Sequence, residues 1–453
     1  MAKTVLLVGG TGFIGEELGI ALTRRGMSVR LLTRGKGPSA NLAFPAESVQ
    51  WGAGGEVPAR ALAGVDAVVN LAGESVATGR WNAQKKKRIL SSRVNTTEAL
   101  VAAANAAKVG VFVQASAIGF YGDTAGQETT EAGQKGRGFL ADVSEAWEAP
   151  LAKLESATRA VVMRLGVVLG GGGGALNEML TPYVLGVGAK IASGKHYMSW
   201  IHIEDICRFV KEAIDAASYR GVYNLTAPIP ATYEQLHQEM VAYFGGFRSL
   251  QVPQMALKLG LGEKSSMLLM DQNVIPGRLL EQGFSFQYED LSSCLEDVIG
   301  KTDGDCAYLN QKQWVSKNIE DVWEFFSSEK NLERITPEFL NFQVEKLSTP
   351  KIQKGSLIDY RLKIHGVPVK WRTKITSFEP QRYFQDIQLR GPYKVWHHCH
   401  YFDRLGEGTL IIDHIKFKVP FGKIGGLIAY PFVRKDVEKI FQYRRGMVAK
   451  IFN

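Results

Sequence analysis

A glycine-rich turn near the N-terminus constrains the fold of this chain more than any other feature. Residues 6–22, LLVGGTGFIGEELGIAL, read as an apolar strand, a turn and an amphipathic helix. The glycines fit both G-x-G-x-x-G and G-x-x-G-x-x-G, spacings that let the backbone approach a pyrophosphate at a helix N-terminus. The pattern predicts a dinucleotide-binding turn, with a tight turn that binds no ligand as the alternative. The predicted cofactor contacts here are Gly9, Gly10, Thr11, Gly12, Phe13, Ile14 and Gly15.

Apolar segments recur along the first part of the chain and are separated by helix-length stretches. They are TVLLVG, SVRLLTR, DAVVNLAG, VFVQASA and AVVMRLGVVLG. Such Val- and Leu-rich runs without polar alternation are typical of buried parallel strands. They predict an α/β fold, a doubly wound Rossmann sheet over residues 1–225, followed by a helical lobe over residues 226–300.

The sequence pattern changes at residue 305, where we expect a separate domain covering residues 305–453. AYLNQKQWV is strand-like, and NIEDVWEFFSS has helical spacing with Asn318 as its expected N-cap. Six further strand candidates follow at short intervals before a final helical segment, VRKDVEKIFQYRRGMVAKIF. This order predicts an α+β domain, in which the sheet curls around the long helix and leaves an internal cavity.

Charge separates the two parts of the chain. Residues 301–453 contain 26 Lys and Arg against 17 Asp and Glu, whereas residues 1–300 contain 28 of each sign. The basic part favours an anionic ligand, a membrane surface or nucleic acid, and a solvated basic face is the alternative. Basic and aromatic residues do not interleave as in known nucleic-acid modules, so we expect no nucleic-acid partner.

Several other classes are also disfavoured. No apolar run approaches the roughly 18 residues of a transmembrane segment, and the N-terminus lacks a signal-peptide pattern, so we expect a cytoplasmic protein. The four cysteines form no close pair, which argues against a zinc knuckle or a disulfide framework. His398 and His400 point to one face of a predicted strand, but no Cys or carboxylate obviously converges on them. We therefore expect no metal site.

The end of the second predicted strand indicates the cofactor. An NAD site normally offers Asp or Glu at this point to the ribose hydroxyls. The segment LLTRG instead offers Thr33 and Arg34, a hydroxyl and a cation suited to a 2′-phosphate. The sequence predicts NADP, and an arginine that is merely solvent-exposed is the alternative.

Two family resemblances emerge from longer segments. Residues 3–300 resemble the atypical extended short-chain dehydrogenases/reductases of the epimerase-like, or NAD(P)-dependent nucleotide-sugar epimerase-like, family. Residues 305–453 resemble the START-like (SRPBCC) helix-grip fold, through YKVWHHCHYFDRLGEGTLIIDHIKF, and this resemblance implies an apolar or anionic ligand. The segments that carry the first resemblance are NLAGESV, RWNAQKKKRILSSRVNTTEAL, SAIGFYG, MRLGVVLGGGGGAL, SWIHIEDI, GVYNLTAP and VIPGRLLEQGF.

The first resemblance implies roles for further residues. Arg93 takes the place where many relatives have an Asn near the nicotinamide ribose. Ser116 stands where the family has its active-site Ser or Thr. The residues implied to pass beside the cofactor are Asn70, Leu71, Ala72 and Gly73.

The segment GFLADVSEAWE departs from the family. Leu140 and Ser144 stand where the family carries Tyr and Lys, the pair that exchanges a proton with the substrate. Tyr121 is the nearest titratable group that could replace them. Packing is the alternative for Tyr121 and Trp200, and capping or filling for His202. The substrate-side candidates are Glu74, Arg80, Trp81, Trp200 and His202.

Together these features predict an NADP(H)-dependent oxidoreductase acting on an unidentified small organic substrate, with an appended small-molecule-binding domain. The alternative is a non-catalytic NADP-binding sensor or scaffold protein, because the usual proton donor is missing.

Overall fold

The structure is a computed structural model and describes residues 2–35, 41–52, 54–184, 188–244, 250–300, 306–420 and 422–453. The side chains of residue 177 and of residues 422–428 are not described. Contacts within the chain define two compact units. The first contains residues 1–38, 46–183 and 187–301, and the second contains residues 39–45, 184–186 and 302–453.

The first unit is built on a seven-stranded parallel sheet in the order β11-β6-β5-β4-β1-β2-β3. Three two-stranded sheets pair β7 with β10, β8 with β13 and β9 with β12. The strands are β1 Thr4–Val8, β2 Ser28–Thr33, β3 Glu47–Gln50, β4 Ala67–Asn70, β5 Val111–Ala117, β6 Arg159–Leu165, β7 Val167–Leu169, β8 Ala189–Ile191, β9 Tyr197–Met198, β10 Trp200–His202, β11 Gly221–Leu225, β12 Ala231–Thr232 and β13 Leu250–Val252.

The central strands of this sheet are buried because both faces are covered. All four residues of β4 are buried, as are the last four of β1. This burial explains the uninterrupted apolar runs in the sequence. The helices of the unit are α1 Phe13–Arg24, α2 Ala59–Leu62, α3 Ala83–Ala107, α4 Phe139–Glu148, α5 Gly174–Val184, α6 Ile203–Asp215, α7 Tyr233–Phe244, α8 Gln254–Leu261, α9 Ser266–Leu269, α10 Gly277–Glu281 and α11 Leu291–Ile299.

The second unit is an antiparallel seven-stranded sheet in the order β14-β20-β19-β18-β17-β16-β15. Its strands are β14 Ala307–Val315, β15 Gln343–Leu347, β16 Leu357–Ile364, β17 Val367–Glu379, β18 Tyr383–Arg390, β19 Val395–Leu405 and β20 Gly408–Lys418. Its helices are α12 Ile319–Phe326 and α13 Gly422–Phe452. Asn318 caps α12 as predicted, because its side chain accepts a hydrogen bond of 2.8 Å from the Asp321 amide.

Apolar side chains of α13 pack on the sheet of the second unit. Val437 and Phe441 lie in one buried cluster with Ile415 and Phe417 of β20, and Val448 lies in another with Ile411. The predicted fold class is therefore confirmed: a Rossmann-type parallel sheet followed by a separate α+β domain. None of the described helices is both long and apolar enough to cross a membrane.

Candidate nucleotide and substrate site

The glycine turn lies at the carboxyl ends of β1 and β4, where the strand order reverses. In doubly wound sheets, dinucleotides bind in the crevice at this point. Gly9 has a φ of +86°, and a Cβ atom there would lie 2.9 Å from the backbone carbon of Leu71. The Leu71 amide donates to the Val8 carbonyl over 2.8 Å, which holds the two strand ends together. Both the backbone angle and this close approach require glycine at position 9.

The other glycines of the turn differ in what requires them. A Cβ atom at Gly15 would lie 2.3 Å from the Gly9 carbonyl oxygen, and one at Gly10 would lie 2.5 Å from a Leu31 methyl group. At Gly12 a Cβ atom would meet one described atom within 4 Å, the Gly9 carbonyl oxygen at 3.4 Å. Packing within the protein therefore requires Gly10 and Gly15 but leaves room at Gly12, the residue that precedes α1. This is where an anion at a helix N-terminus would bind.

The remaining residues of the turn differ in their exposure and contacts. Thr11 is exposed, and Ile14 is partly buried. Phe13 packs against the glycine run at 170–174, since a Cβ atom at Gly173 would lie 2.3 Å from the Phe13 ring. Phe13 therefore links the nucleotide turn to the loop that follows β7.

Thr33 and Arg34 lie at the carboxyl end of β2, which neighbours β1 in the sheet. The Thr33 hydroxyl accepts a hydrogen bond of 3.1 Å from the Gly35 amide, and the Arg34 side chain is exposed. The cation therefore lies on the surface next to the turn, as a 2′-phosphate ligand would require.

Asn70 organises the loop after β4 from inside the protein. Its amide nitrogen donates to Gln114 over 2.9 Å and to Thr97 over 3.2 Å, and its oxygen accepts from the Ala72 amide over 3.1 Å. All three side chains are fully buried. Asn70 therefore holds the loop in position, whereas Leu71 and Ala72 are partly buried and Gly73 is exposed.

Arg93 of α3 lies across this loop. Its guanidinium donates to the carbonyls of Glu74 and Ile89 over 2.9 and 3.1 Å and stacks 4.6 Å from the centre of the Trp147 ring. A Cβ atom at Gly73 would lie 2.9 Å from the Arg93 Cζ atom, so a larger residue there would displace the guanidinium. Burial lowers the pKa of Arg93 to about 10, and the side chain remains a cation near neutral pH.

Ser116 is buried at the end of β5 and belongs to a polar network. Its hydroxyl donates to Glu148 over 2.6 Å, and Glu148 is held by two hydrogen bonds of 2.9 and 2.8 Å from Arg164. The side chains of Arg164 and Glu148 are 6% and 14% exposed, which makes this a well-shielded ion pair. The Ser116 proton thus points to a carboxylate that Arg164 holds in place.

The same network contains Tyr121. Its hydroxyl accepts from Arg164 over 2.9 Å and donates to Asn224 over 2.8 Å, and the residue is 4% exposed. Burial raises the pKa of Tyr121, which makes it a poorer acid. The geometry matches the packing alternative, and we do not retain Tyr121 as a proton donor.

Helix α4, which carries the departure from the family pattern, packs on the turn after β5. A Cβ atom at Gly119 would lie 3.2 Å from the Cβ atom of Leu140 and 3.9 Å from the Ser144 hydroxyl. Leu140 belongs to an apolar cluster with Trp81, Ile89 and Val143. Leu140 and Ser144 therefore pack where the usual pair would act.

Three of the substrate-side candidates lie near the start of α3. Glu74 forms an ion pair of 2.8 Å with Lys85. The hydrogen bond that Lys85 donates in this pair lowers the pKa of Glu74. Trp81 is 8% exposed and donates its indole proton to the Val76 carbonyl over 2.9 Å. Arg80 is exposed, and its guanidinium lies 3.3 Å from the Gly260 carbonyl oxygen. The backbone carbonyl of Glu74 accepts the hydrogen bond from Arg93, and Trp81 is a core residue.

The other two candidates are buried in the structure. Trp200 has no exposed surface. His202 is 2% exposed, and its Nδ1 atom accepts from the Glu204 amide at the start of α6 over 3.3 Å. Its ring lies 3.9 Å from that of Tyr288. These positions match packing and capping, so neither residue is kept in the proposed substrate site.

The second unit encloses a cavity of about 770 Å³. Most of its wall is apolar or aromatic, including Leu362, Trp371, Ile375 and Phe384. The buried polar part of the wall is contributed by Asp386, His398, His400 and Arg444. Such a lining suits an apolar molecule with a small polar group.

From the sequence we expected no carboxylate to converge on the two histidines, but two carboxylates lie beside them. Asp386 of β18 and Asp413 of β20 flank His398 and His400 on β19, all within 3.6 Å. The sequence could not show this, because the cross-strand register decides which carboxylates meet the imidazoles. Burial and the neighbouring His400 lower the pKa of His398 to about 4, so His398 is neutral near pH 7.

A parallel sheet with a glycine turn at its switch point defines a dinucleotide-binding α/β protein. The family profile described as NAD dependent epimerase/dehydratase family matches residues 5–226, and one described as Domain of unknown function (DUF1731) matches residues 252–298. The chain belongs to the NAD dependent epimerase/dehydratase family, because its relatives exceed 30% identity and are matched over nearly their whole length.

Two of these relatives illustrate the match. The chain is 35% identical to Epimerase family protein SDR39U1 of Homo sapiens, over 65% of this chain and 99% of that protein. It is 34% identical to Epimerase family protein YfhF of Bacillus subtilis, over 65% and 97%. The crystal structure of human epimerase family protein SDR39U1 (isoform 2) with NADPH matches with a TM-score of 0.60 and 34% identity, over 66% and 100%.

The structure adds residues that the sequence reasoning missed. Glu148 and Arg164 hold Ser116, Trp147 stacks on Arg93, and Lys85 pairs with Glu74. Helix periodicity could have indicated Trp147 and Glu148, which follow Ser144 on α4. Arg164 gave a weaker signal, a single charge inside an apolar strand.

Proposed function

We propose that the first unit binds NADP(H) and exchanges a hydride with a small organic substrate. The observation that carries the proposal is at Gly12, where a Cβ atom would meet the described residues only at an ordinary contact distance of 3.4 Å. Packing within the described residues therefore does not require a glycine at this position. Human SDR39U1, which is 34% identical to this chain, was solved with NADPH. The absence of a carboxylate beside Thr33 and Arg34 supports NADP(H) over NAD(H).

The proposed cofactor contacts lie at the carboxyl ends of the parallel strands. The amides at the start of α1 would hold the pyrophosphate, and Arg34 with Thr33 would hold the 2′-phosphate. The loop at Leu71–Gly73 and the Arg93 guanidinium would border the nicotinamide ribose. The bound cofactor supplies or accepts the hydride.

Ser116 is the proposed contact for the reacting oxygen of the substrate; it is 1% exposed here, so this role requires that it become accessible when cofactor and substrate bind. Its single proton is donated to Glu148 over 2.6 Å, so in this orientation it can only accept a hydrogen bond from a substrate hydroxyl. Donation to a carbonyl would require rotation of the hydroxyl away from Glu148. Glu148 and Arg164 are therefore positioning residues for Ser116 in this proposal.

For the second unit we propose a START-like ligand-binding domain. The antiparallel sheet, the long helix α13 and the apolar cavity of about 770 Å³ support this proposal. The volume of the cavity is typical of small-molecule sites, and the Arg444 side chain in its wall favours an apolar ligand with an anionic group.

A specific observation favours a second candidate, a non-catalytic NADP-binding sensor or scaffold. The protons of Ser116 and Tyr121 are both committed to buried partners, and Leu140 and Ser144 replace the usual donor pair. A protein of this kind would bind NADPH tightly without turning over a substrate.

NADPH oxidation by the full chain across a panel of aldehydes, ketones and quinones separates the two candidates. For an oxidoreductase we expect turnover that falls at least tenfold in Ser116→Ala, about 1.4 kcal/mol of transition-state stabilisation. Ser144→Ala, on the neighbouring helix, should change turnover little. Tight NADPH binding without turnover of any substrate would favour the sensor, and loss of turnover in Ser144→Ala alone would contradict the role given to Ser116.

A further inference from the structure

Three side chains from adjacent strands converge on the wall of the cavity in the second unit. The register pairs Asp386 of β18 with His398 of β19, and His400 follows on the same face. Asp386 Oδ2 lies 3.6 Å from His398 Nδ1 and 3.5 Å from His400 Nε2. Within the described part of the chain, this is the group of His, Cys, Asp and Glu atoms close enough to hold one metal ion.

A fourth residue contacts the other ring nitrogens of the two histidines. Asp413 Oδ1 lies 3.0 Å from His398 Nε2 and 2.8 Å from His400 Nδ1. A carboxylate accepts hydrogen bonds, so Asp413 can take an N–H from each ring and leave His398 Nδ1 and His400 Nε2 facing Asp386 as metal ligands.

The remaining charged group at the cluster is Arg444. Its Nη2 atom lies 3.3 Å from His400 Nδ1 and 4.0 Å from Asp413 Oδ1. Arg444 therefore places its positive charge beside Asp413 and His400.

The two separations from Asp386 fit a metal ion, and the ligand atoms of the three residues all lie within 4.8 Å of one another. Metal–ligand bonds of about 2.1 Å at tetrahedral angles place ligand atoms ~3.4 Å apart, close to the separations from Asp386. Two imidazoles and a carboxylate suit divalent first-row transition metals. Asp413 occupies the position of the carboxylate that commonly orients metal-bound histidines.

We propose that Asp386, His398 and His400 form a binding site for a divalent transition-metal ion, oriented by Asp413 and open toward the cavity. The coordination positions that the protein leaves free can take water or an oxygen of a cavity ligand. The metal site requires neither NADPH nor a cavity ligand, so its test does not depend on the proposed function.

The test uses the full chain, freed of any histidine tag, stripped with a chelator and titrated with Co²⁺ and then Zn²⁺. We expect one ion per chain by calorimetry, visible absorption bands of four- or five-coordinate Co²⁺, and loss of these bands as Zn²⁺ displaces Co²⁺. Asp386→Asn, which keeps the side-chain shape, and His398→Ala should each weaken binding at least 100-fold. His414→Ala is the matched control, because His414 follows Asp413 on β20 but is exposed.

Asp413→Asn separates an orienting role from direct ligation. Loss of an outer carboxylate typically weakens metal binding 10- to 100-fold, so we expect an intermediate affinity with the Co²⁺ bands retained. Circular dichroism checks that each variant is folded. If His398→Ala does not fold, Asp386→Asn decides the result. The proposal is overturned if the wild-type chain binds neither ion with one-to-one stoichiometry, or if Asp386→Asn binds as tightly as wild type.

Discussion

At the residue scale, two glycines three positions apart in the nucleotide turn have different physical roles. Gly15 lets α1 pack on the turn, since a Cβ atom there would lie 2.3 Å from the Gly9 carbonyl oxygen. At Gly12, which precedes the same helix, a Cβ atom would lie 3.4 Å from the Gly9 carbonyl oxygen, an ordinary contact distance. The first glycine is required by the fold, and the second by the cofactor in our proposal.

Substitution of the two glycines should separate these roles. We expect Gly12→Val to abolish NADPH binding while the thermal midpoint shifts by only a few degrees. Gly15→Ala should lower the free energy of unfolding by about 1–3 kcal/mol, because the turn must move to admit the methyl group. Calorimetric titration and thermal melts measure both effects. Retained NADPH binding in folded Gly12→Val protein would contradict the assignment of the turn.

Arg34 is the residue on which cofactor choice rests. Arg34→Asp should cost at least tenfold in NADPH affinity, about 1.4 kcal/mol, while NADH affinity stays similar or improves. Arg25→Asp makes the same change of charge at an exposed position after α1 and should leave the preference unchanged. Parallel titrations with both cofactors measure the ratio, and equal affinities in the wild-type chain would count against NADP specificity.

At the element scale, α4 has become a support for two arginines. Its last turn brings Trp147 onto Arg93, at 4.6 Å, and Glu148 onto Arg164, at 2.8 Å. Leu140 and Ser144 pack one turn or more earlier on the same helix. The last turn of the helix thus supplies the contacts to both arginines.

The ion pair at the end of α4 should contribute to stability. Glu148→Gln leaves a buried guanidinium without its counter-charge, and we expect it to cost about 3 kcal/mol of unfolding free energy. Glu145→Gln makes the same substitution one turn away at an exposed pair with Lys135 and should cost less than about 1 kcal/mol. Urea denaturation measures both values. Similar costs for the two variants would show that shielding does not strengthen the Glu148 pair.

At the scale of the whole molecule, the chain combines two units with separate cores and different sheet types. The first unit has its proposed ligand site at the carboxyl ends of its parallel strands, and the second has a cavity lined by residues of its sheet and helices. The net charge of +9 comes from residues 301–453, so the two units also differ electrostatically.

The cavity should bind an apolar anionic probe such as anilinonaphthalene sulfonate. We expect Ile375→Trp, which places an indole in the cavity wall, to weaken probe binding at least threefold in a fluorescence titration. Val367→Trp lies on the same strand but is 62% exposed, and it should leave binding unchanged. Equal probe affinities in wild type and Ile375→Trp would argue against the cavity as the binding site.

The amino-acid sequence by itself determined the elements and the fold class. The glycine turn, the apolar parallel strands and the Asn318 cap all arise from interactions over a few residues. Backbone sterics and hydrophobic periodicity act at that range, so their outcome can be predicted without knowing distant contacts. The absence of Tyr and Lys from α4 was equally visible.

Tertiary structure alone decided how the polar side chains are used. Tyr121 meets Asn224, and Ser116 meets Glu148, across long separations in the chain. Asp386 and Asp413 reach the two histidines of β19 because of strand register, and a shift of one residue would turn them to the other face. Burial likewise removed Trp200 from the substrate side. These outcomes depend on packing among distant segments, which no local pattern specifies.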